Sequence, residues 1–162
     1  VGTYWHLDTR PDELEQMEHQ ELKLKAPIID ETLNQCKYQT IIHGDAKVAN
    51  FCFSEEKESI AVSDFQYVGG GCGMKDVVYF LGSCLRSDEC ERYEKELLDF
   101  YFSELEKATD NNLNFKELEE EWRTMYPMAC ADFMLFMLGW MPTHHKVNNY
   151  YLEKVKEVLV RL

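Results

Sequence analysis

The most informative segment of this sequence is IIHGDAKVANF, residues 41–51. Its β-branched start predicts a short strand, and the glycine directly after the histidine predicts a tight turn. A carboxylate, Asp45, comes at once after the turn, and an amide, Asn50, comes five residues later. Because Asp and Asn are common in ordinary surface turns, this segment indicates a functional site only in combination with a second motif further along the chain.

The second motif is VSDFQ at residues 62–66. The stretch between the two motifs has the length of one β-hairpin. Two runs of strand character flank the polar turn at residues 55–58, which predicts a pair of antiparallel strands. Such a hairpin brings Asn50 and Asp64 side by side although they are distant in sequence. The sequence therefore predicts one site with three oxygen-bearing side chains, those of these two residues and of Asp45.

The order of the two motifs resembles the protein-kinase catalytic loop, H-R-D-x-x-x-x-N, followed by D-F-G. Here Gly44 replaces the arginine and Gln66 replaces the glycine. H-G-D-x-x-x-x-N with a D-F-Q type second motif is similar to the pattern of the aminoglycoside phosphotransferase superfamily, which includes choline kinase-like and ecdysteroid kinase-like proteins. The resemblance covers about residues 40–85.

This resemblance implies an ATP- and Mg²⁺-dependent phosphotransferase that acts on a hydroxyl group of a small molecule. It implies that Asp45 accepts the hydroxyl proton. Asn50 and Asp64 would bind Mg²⁺ through oxygen atoms, which this hard cation prefers. For Lys47 it implies a contact with the γ-phosphate, and the alternative is an exposed loop lysine.

Two further residues are implied to support the site. His43 is expected to pack beneath the loop and to form a hydrogen bond near the second motif. Asp76, after the glycine-rich run at residues 69–73, is expected to brace the loop through backbone amides, and the alternative is a simple helix N-cap. The glycine-rich run lacks G-K-[ST] and is not a P-loop, so a flexible loop is expected there.

Apolar residues recur at helical spacing through most of the remaining chain. Thr9 and Pro11 predict a helix start, and this helix is expected to end before Pro27, with a second short helix at about residues 30–36. Pro127 is expected to interrupt or restart a later helix. The other predicted helices lie at residues 74–85 and 90–109, from Asn114 onward, and from Asn148 to Leu162.

The predicted fold is therefore α+β and mainly α. It is expected to be like the C-terminal lobe of a protein kinase, with a small β-hairpin carrying the catalytic loop. Kinases of this class also need a nucleotide-binding lobe with a glycine-rich turn, a strand lysine and a helix glutamate, and none precedes His43. Residues 1–162 are thus expected to be the catalytic lobe of a longer protein, with weak activity alone.

Composition narrows the class of partner. Thirty acidic against 17 basic residues give a net charge of −13, without the Lys/Arg cluster typical of a nucleic-acid-binding face. Such a charge mainly keeps the surface solvated. It also mildly favours a cationic acceptor such as an amino alcohol or an aminoglycoside, and a neutral, ecdysteroid-like acceptor stays open. The apolar run at about residues 128–141 is shorter than the roughly 20 residues that span a bilayer. Six cysteines without a CxxC pair predict reduced thiols in a cytoplasmic protein.

Two other functions are compatible with the same residues. A pseudokinase or interaction domain would keep the loop without catalysis. A metal-dependent hydrolase would use His43, Asp45 and Asp64, with the histidine pair at residues 144–145 as extra ligands. The hydrolase predicts activity without a nucleotide.

An aromatic and methionine-rich stretch, residues 133–141, is expected to lie in the core. The alternative is part of a substrate pocket, since the resemblance to choline kinases implies aromatic rings that hold a quaternary ammonium by cation–π attraction. The candidate rings are Trp122, Tyr126 and Trp140, with Asp132 as the counter-charge.

Overall fold

The computed structural model describes residues 2–4, 10–56, 58–110 and 112–162. Within these ranges the chain forms six α-helices and two small antiparallel sheets, so the fold is α+β and mainly α, as predicted. The helices are α1 (Pro11–Gln16), α2 (Gln20–Asn34), α3 (Met74–Cys84), α4 (Ser87–Ala108), α5 (Phe115–Trp140) and α6 (Asn149–Arg161). The strands are β1 (Thr40–Ile42), β2 (Phe51–Phe53), β3 (Ile60–Val62) and β4 (Gly69–Gly71).

Helix α5 forms the centre of the core. From Tyr126 to Met137 all but one of its residues are buried, and α1, α2, α3 and α6 pack around it. A helix that is apolar on every side is stable only when other elements cover it. The expected core position of the aromatic and methionine-rich stretch is confirmed up to Met137, whereas Trp140 is exposed at the end of the helix.

Two prolines lie inside helices, and the predicted helix ends at these prolines are wrong. Pro27 is within α2 and Pro127 is within α5. An internal proline removes one backbone hydrogen bond and costs about 3 kcal/mol, but burial of apolar side chains on both sides of the proline offsets this loss. The stripe that α2 buries continues across its proline with Leu22, Ala26, Ile29 and Leu33.

The first predicted helix is two helices in the structure. The chain leaves the helical conformation at Met17, and α2 begins after His19, whose Nδ1 accepts a hydrogen bond from Leu22 N at 3.2 Å. The short helix predicted at residues 30–36 is the end of α2. Thr9, the predicted cap of the first helix, lies outside the described residues.

The later helix starts agree with the sequence. Asn114 Oδ1 accepts from Glu117 N at 3.4 Å, and Asn114 Nδ2 donates to the carboxylate of Glu117 at 3.1 Å. Asn148 Oδ1 accepts from Tyr151 N at 3.3 Å. Both asparagines satisfy amide groups that a helix start leaves without a partner. Helix α4 begins at Ser87, slightly before its predicted start.

The predicted hairpin is formed by β2 and β3, with Phe51 opposite Val62. The glycine-rich run is not the loop that its composition predicts, because β4 pairs antiparallel with β1 and places Ile42 opposite Gly69. A Cβ on Gly71 would lie 2.7 Å from Cδ1 of Ile42. Gly71 therefore lets its backbone approach a buried side chain of the other strand, a requirement that local composition does not reveal.

The six cysteines are free in the structure: Cys36, Cys52, Cys72, Cys84, Cys90 and Cys130. Burial is the largest cause of the raised pKa values of the Cys84, Cys90 and Cys130 thiols, which favours the protonated form. Across the described ranges no helix combines the length and the apolar character needed to cross a membrane.

Candidate active site

The turn after β1 requires glycine. Gly44 has a φ of 80°, in the left-handed region. A Cβ at this position would collide with the carbonyl oxygen of Tyr67 and would lie 2.9 Å from Thr3 N. The main-chain oxygen of Gly44 also accepts a hydrogen bond from Tyr4 N at 2.8 Å. The glycine of the H-G-D motif thus allows three chain segments to meet below the loop.

Asp76 holds the start of this loop. Its carboxylate accepts from His43 N at 2.6 Å and from Gly44 N at 3.0 Å. The N-cap of α3 is Gly73, so the carboxylate of Asp76 faces the loop and does not cap its own helix. Burial raises the pKa of Asp76, and the two amide hydrogen bonds act in the opposite direction.

We expect Asp76→Ala to lower the free energy of unfolding by about 1–3 kcal/mol, because two partly buried amides lose their acceptor. Asp76→Asn keeps one carbonyl oxygen and should lose about half as much. Urea denaturation of both variants checks this. Asp88→Ala is the control, because Asp88 is 76% exposed. If Asp76→Ala were as stable as this control, the bracing role would be refuted.

His43 is fixed in one tautomer by two main-chain partners. Its Nδ1 accepts from Asp45 N at 3.2 Å, and its Nε2 lies 2.8 Å from the main-chain oxygen of Ser63. Since an amide can only donate and a carbonyl can only accept, the proton is on Nε2. The ring also packs on Phe65, with centroids 5.0 Å apart. Both nitrogens are in use, so His43 supports the loop and has no nitrogen left for a metal.

Asp45, Lys47 and Asn50 form one polar cluster. The Asp45 side chain is only 3% exposed, and its Oδ2 accepts from Lys47 Nζ at 2.7 Å and from Asn50 Nδ2 at 3.1 Å. A buried carboxylate needs such partners. Asn50 Nδ2 also donates to the main-chain oxygen of Asp45 at 2.8 Å, which fixes the orientation of the amide. Among the described residues no group donates to Asn50 Oδ1.

Asp64 lies at the base of the hairpin, next to Asn50. Ser63 N donates to Asn50 O at 3.0 Å, directly beyond the paired ends of β2 and β3. The φ of Asp64 is 65°, which is the left-handed conformation. Residues other than glycine adopt this conformation rarely, and those that do often lie at functional sites. Asp64 is exposed, and within the described part of the chain its carboxylate has no ion-pair partner.

Asn50 and Asp64 carry side-chain oxygen atoms, the type of ligand that Mg²⁺ prefers. The described ranges contain no group of three or more His, Cys, Asp or Glu side chains placed to hold a metal. Mg²⁺ does not require such a cage, since it keeps water ligands and is commonly bound by one or two carboxylates together with substrate phosphates. The same finding counts against the hydrolase alternative, which needs a cluster of His43, Asp45 and Asp64.

One family model, DUF1679 with the description "Uncharacterized oxidoreductase dhs-27", matches this chain over residues 12–161. The chain belongs to the DUF1679 family. The match includes the loop, the hairpin and nearly all of α1 to α6. DUF1679 is related to the ecdysteroid kinase-like and choline kinase-like families. No curated protein and no solved structure matches the chain.

The term oxidoreductase in this description is taken from the protein whose name describes the DUF1679 family model. The 162 residues of this DUF1679 chain contain no G-x-G-x-x-G motif, the fingerprint of the common dinucleotide-binding fold. The chemistry proposed for the site therefore depends on the side chains of the site and not on the family description.

Two residues of the candidate site, Tyr79 and Lys146, were not singled out from the sequence. Burial and the neighbouring Asp45 carboxylate raise the pKa of Tyr79. Lys146 Nζ lies 5.4 Å from the centroid of the Tyr79 ring. Tyr79 is one helical turn after Asp76 on α3, and this spacing could have indicated it. Lys146 lies between α5 and α6, and only packing brings it to the site.

Most of the proposed cation-binding rings are not accessible in this DUF1679 structure. Trp122 is buried, and its Nε1 donates to Tyr38 O at 3.0 Å. Tyr126 is buried, and its hydroxyl bonds to that of Tyr150 at 2.9 Å. Trp140 is 45% exposed and stacks on Phe136. Of the three candidate rings, only that of Trp140 can be reached from solvent.

Asp132, the proposed counter-charge, is already paired. Its Oδ2 lies 3.1 Å from Lys75 Nζ, and the two side chains are 10% and 8% exposed. Between this pair and the loop is a cavity of about 30 Å³, whose lining includes Gly44, Asp76 and Tyr79. That volume holds about one water molecule, so this cavity is too small for a larger ligand.

The remaining histidine pair follows α5. The rings of His144 and His145 are 4.2 Å apart, and His144 Nδ1 accepts from Lys146 N at 3.2 Å. Burial, then His145 and Lys146, lower the pKa of His144. Within the described ranges these histidines belong to no metal-binding group.

Proposed function

We propose that this chain is the catalytic part of an ATP-dependent phosphotransferase whose acceptor is a hydroxyl group of a small molecule. One observation supports this most strongly. A buried, oriented carboxylate, Asp45, lies on the same loop as Asn50, and the side-chain oxygen atoms of Asn50 and Asp64 have no protein partner among the described residues. A base beside two free oxygen ligands is the arrangement that phosphoryl transfer requires.

In the proposed reaction, Asp45 accepts a hydrogen bond from the acceptor hydroxyl and orients its oxygen toward the γ-phosphorus of ATP. The new oxygen–phosphorus bond forms as the bond to the β,γ-bridging oxygen breaks, and ADP leaves. The hydroxyl proton moves to the Asp45 carboxylate. The products are a phosphate monoester and ADP, and no phospho-enzyme is formed.

Lys47 has two roles in this proposal. In the free protein its ammonium stabilises the buried Asp45 carboxylate at 2.7 Å. Because the Lys47 side chain is 39% exposed, it can also contact a γ-phosphate that approaches the loop. A bound Mg²⁺ would offset the negative charge of the transferred group, and Asn50 and Asp64 are the residues that would hold it.

The finer identification, an ecdysteroid kinase-like or choline kinase-like phosphotransferase with a protein-kinase-like lobe, is part of the same proposal. It is supported by the H-G-D-x-x-x-x-N and D-F-Q motifs, by the hairpin between them, and by the relation of DUF1679 to those families. Asp76 contributes by holding the amides of His43 and Gly44 in the loop conformation.

The test is a screen for ADP formation. Purified protein with ATP and Mg²⁺ is assayed against amino alcohols, aminoglycosides, sugars and sterols, and we expect ADP release that depends on both the acceptor and Mg²⁺. Parallel samples with chelator, and with NADH or NADPH in place of ATP, serve as controls. No acceptor-dependent ADP, together with no effect of Mg²⁺-ATP on thermal unfolding, would favour the interaction-domain alternative.

A further inference from the structure

A lysine lies over two aromatic rings beside the proposed reaction centre. Lys146 Nζ is 5.4 Å from the ring centroid of Tyr79 and 5.9 Å from that of Phe133. Desolvation by burial lowers the pKa of Lys146, while the charge of Asp45 raises it and that of Lys47 lowers it. The ammonium group therefore lies in the electrostatic field of the polar cluster, on the faces that bind cations well.

The carboxylates of the site and of the adjoining cavity are already engaged. Asp45 pairs with Lys47 at 2.7 Å, and Asp132 pairs with Lys75 at 3.1 Å. Asp76 accepts two backbone amides. Among the described residues no carboxylate pairs with Lys146 itself. A positively charged acceptor would thus find neither a free aromatic face at Lys146 nor an unengaged carboxylate among these three.

Behind these two rings the aromatic packing continues into the core, where Phe133 and Phe136 are each 5% exposed. Tyr79 and Phe133 are in edge contact with centroids 5.1 Å apart, and Phe136 stacks on the exposed Trp140 at 5.4 Å. Lys146 is therefore the cation that occupies the ring faces of Tyr79 and Phe133, and Phe133 beneath it is buried.

We propose that Lys146 is a specificity-determining residue, whose ammonium occupies the ring faces that a cationic acceptor would use, so that the site takes hydroxyl compounds without positive charge beside the reacting hydroxyl. This inference rests on the proposed function. A second cation about 6 Å from Lys146 at a half-buried site would bind about 10–100-fold more weakly than a neutral analogue of the same shape. The local charge thereby opposes the preference for cations expected from the net charge of −13.

The test compares choline with 3,3-dimethylbutan-1-ol, an uncharged molecule of nearly the same shape. Their dissociation constants are measured by titration calorimetry without ATP, for the unaltered protein and for Lys146→Met, Lys146→Arg and Lys154→Met. Lys154 is the control, because its ammonium also lies over two rings, those of Tyr126 and Tyr150, but is neutralised by Glu94 at 2.8 Å. Thermal unfolding verifies that each variant is folded.

We expect the unaltered protein to bind the neutral alcohol about tenfold more tightly than choline. Lys146→Met should improve choline binding by about tenfold or more, whereas Lys146→Arg and Lys154→Met should leave the ratio unchanged within about twofold. Choline binding to Lys146→Met that is no tighter than to the unaltered protein would overturn the inference. Because binding is measured without ATP, a lack of ADP formation would count against the proposed function alone.

Discussion

Replacing Asp45 with asparagine is expected to lower the turnover number of phosphate transfer by about 10²–10⁴-fold, the usual contribution of a positioned base. The amide is nearly the same size and can still bond to Lys47 or Asn50, but it cannot take the proton of the acceptor. Since the KM for ATP depends on other residues, it should change little. The measurement is steady-state ADP formation with the best acceptor of the screen.

Asp88→Asn is the matched control for Asp45→Asn, because it removes the same charge from a side chain that is 76% exposed and far along the chain from the loop. This control should retain full turnover. The proposed role of Asp45 would be refuted by an Asp45→Asn protein that is folded, binds ATP and turns over within about threefold of the unaltered protein.

Asp64→Asn is expected to lower turnover by about 10²–10³-fold and to remove most of the Mg²⁺ dependence of ATP binding. A bound metal ion contributes several kcal/mol to charge stabilisation in the transition state, and loss of its carboxylate ligand would forfeit much of this. Each 1.36 kcal/mol is about tenfold in rate. Asparagine tolerates the left-handed backbone observed at φ 65°, so the fold should survive. The loss would therefore report on the ligand and not on the loop.

The readout that separates metal binding from catalysis is the thermal unfolding temperature with ATP, measured with Mg²⁺ and then with chelator. The unaltered protein should be stabilised more by Mg²⁺-ATP than by ATP alone, and Asp64→Asn should lose this difference. Asp88→Asn should keep it. An Asp64→Asn protein with an undiminished Mg²⁺ effect would show that the cation is held elsewhere.

Much of the site could be predicted because its parts are close in sequence. Asp45, Lys47 and Asn50 belong to one loop, and the structure joins them in one hydrogen-bonded cluster. The hairpin that brings Asp64 beside Asn50 has two short runs of strand character around a polar turn, and the pairing of Phe51 with Val62 agrees with it. The catalytic and metal-binding roles of these residues remain predictions.

Other parts of the site could not be predicted because they come together from distant segments. Lys146 reaches the rings of Tyr79 and Phe133 from the connection between α5 and α6. Asp132 looked like a free counter-charge in a helix, but Lys75 neutralises it. Which charge meets which partner depends on helix packing, and net charge or local spacing carries no information about it.

The sequence by itself determined the mainly helical α+β class, the hairpin, the glycine turn and the asparagine caps at Asn114 and Asn148, because each depends on a few neighbouring residues. Only the tertiary structure decided that helices continue through Pro27 and Pro127, and that the glycine run pairs as a strand with β1. In those places burial and strand pairing between distant segments outweigh the local preference of the chain for a break or a loop.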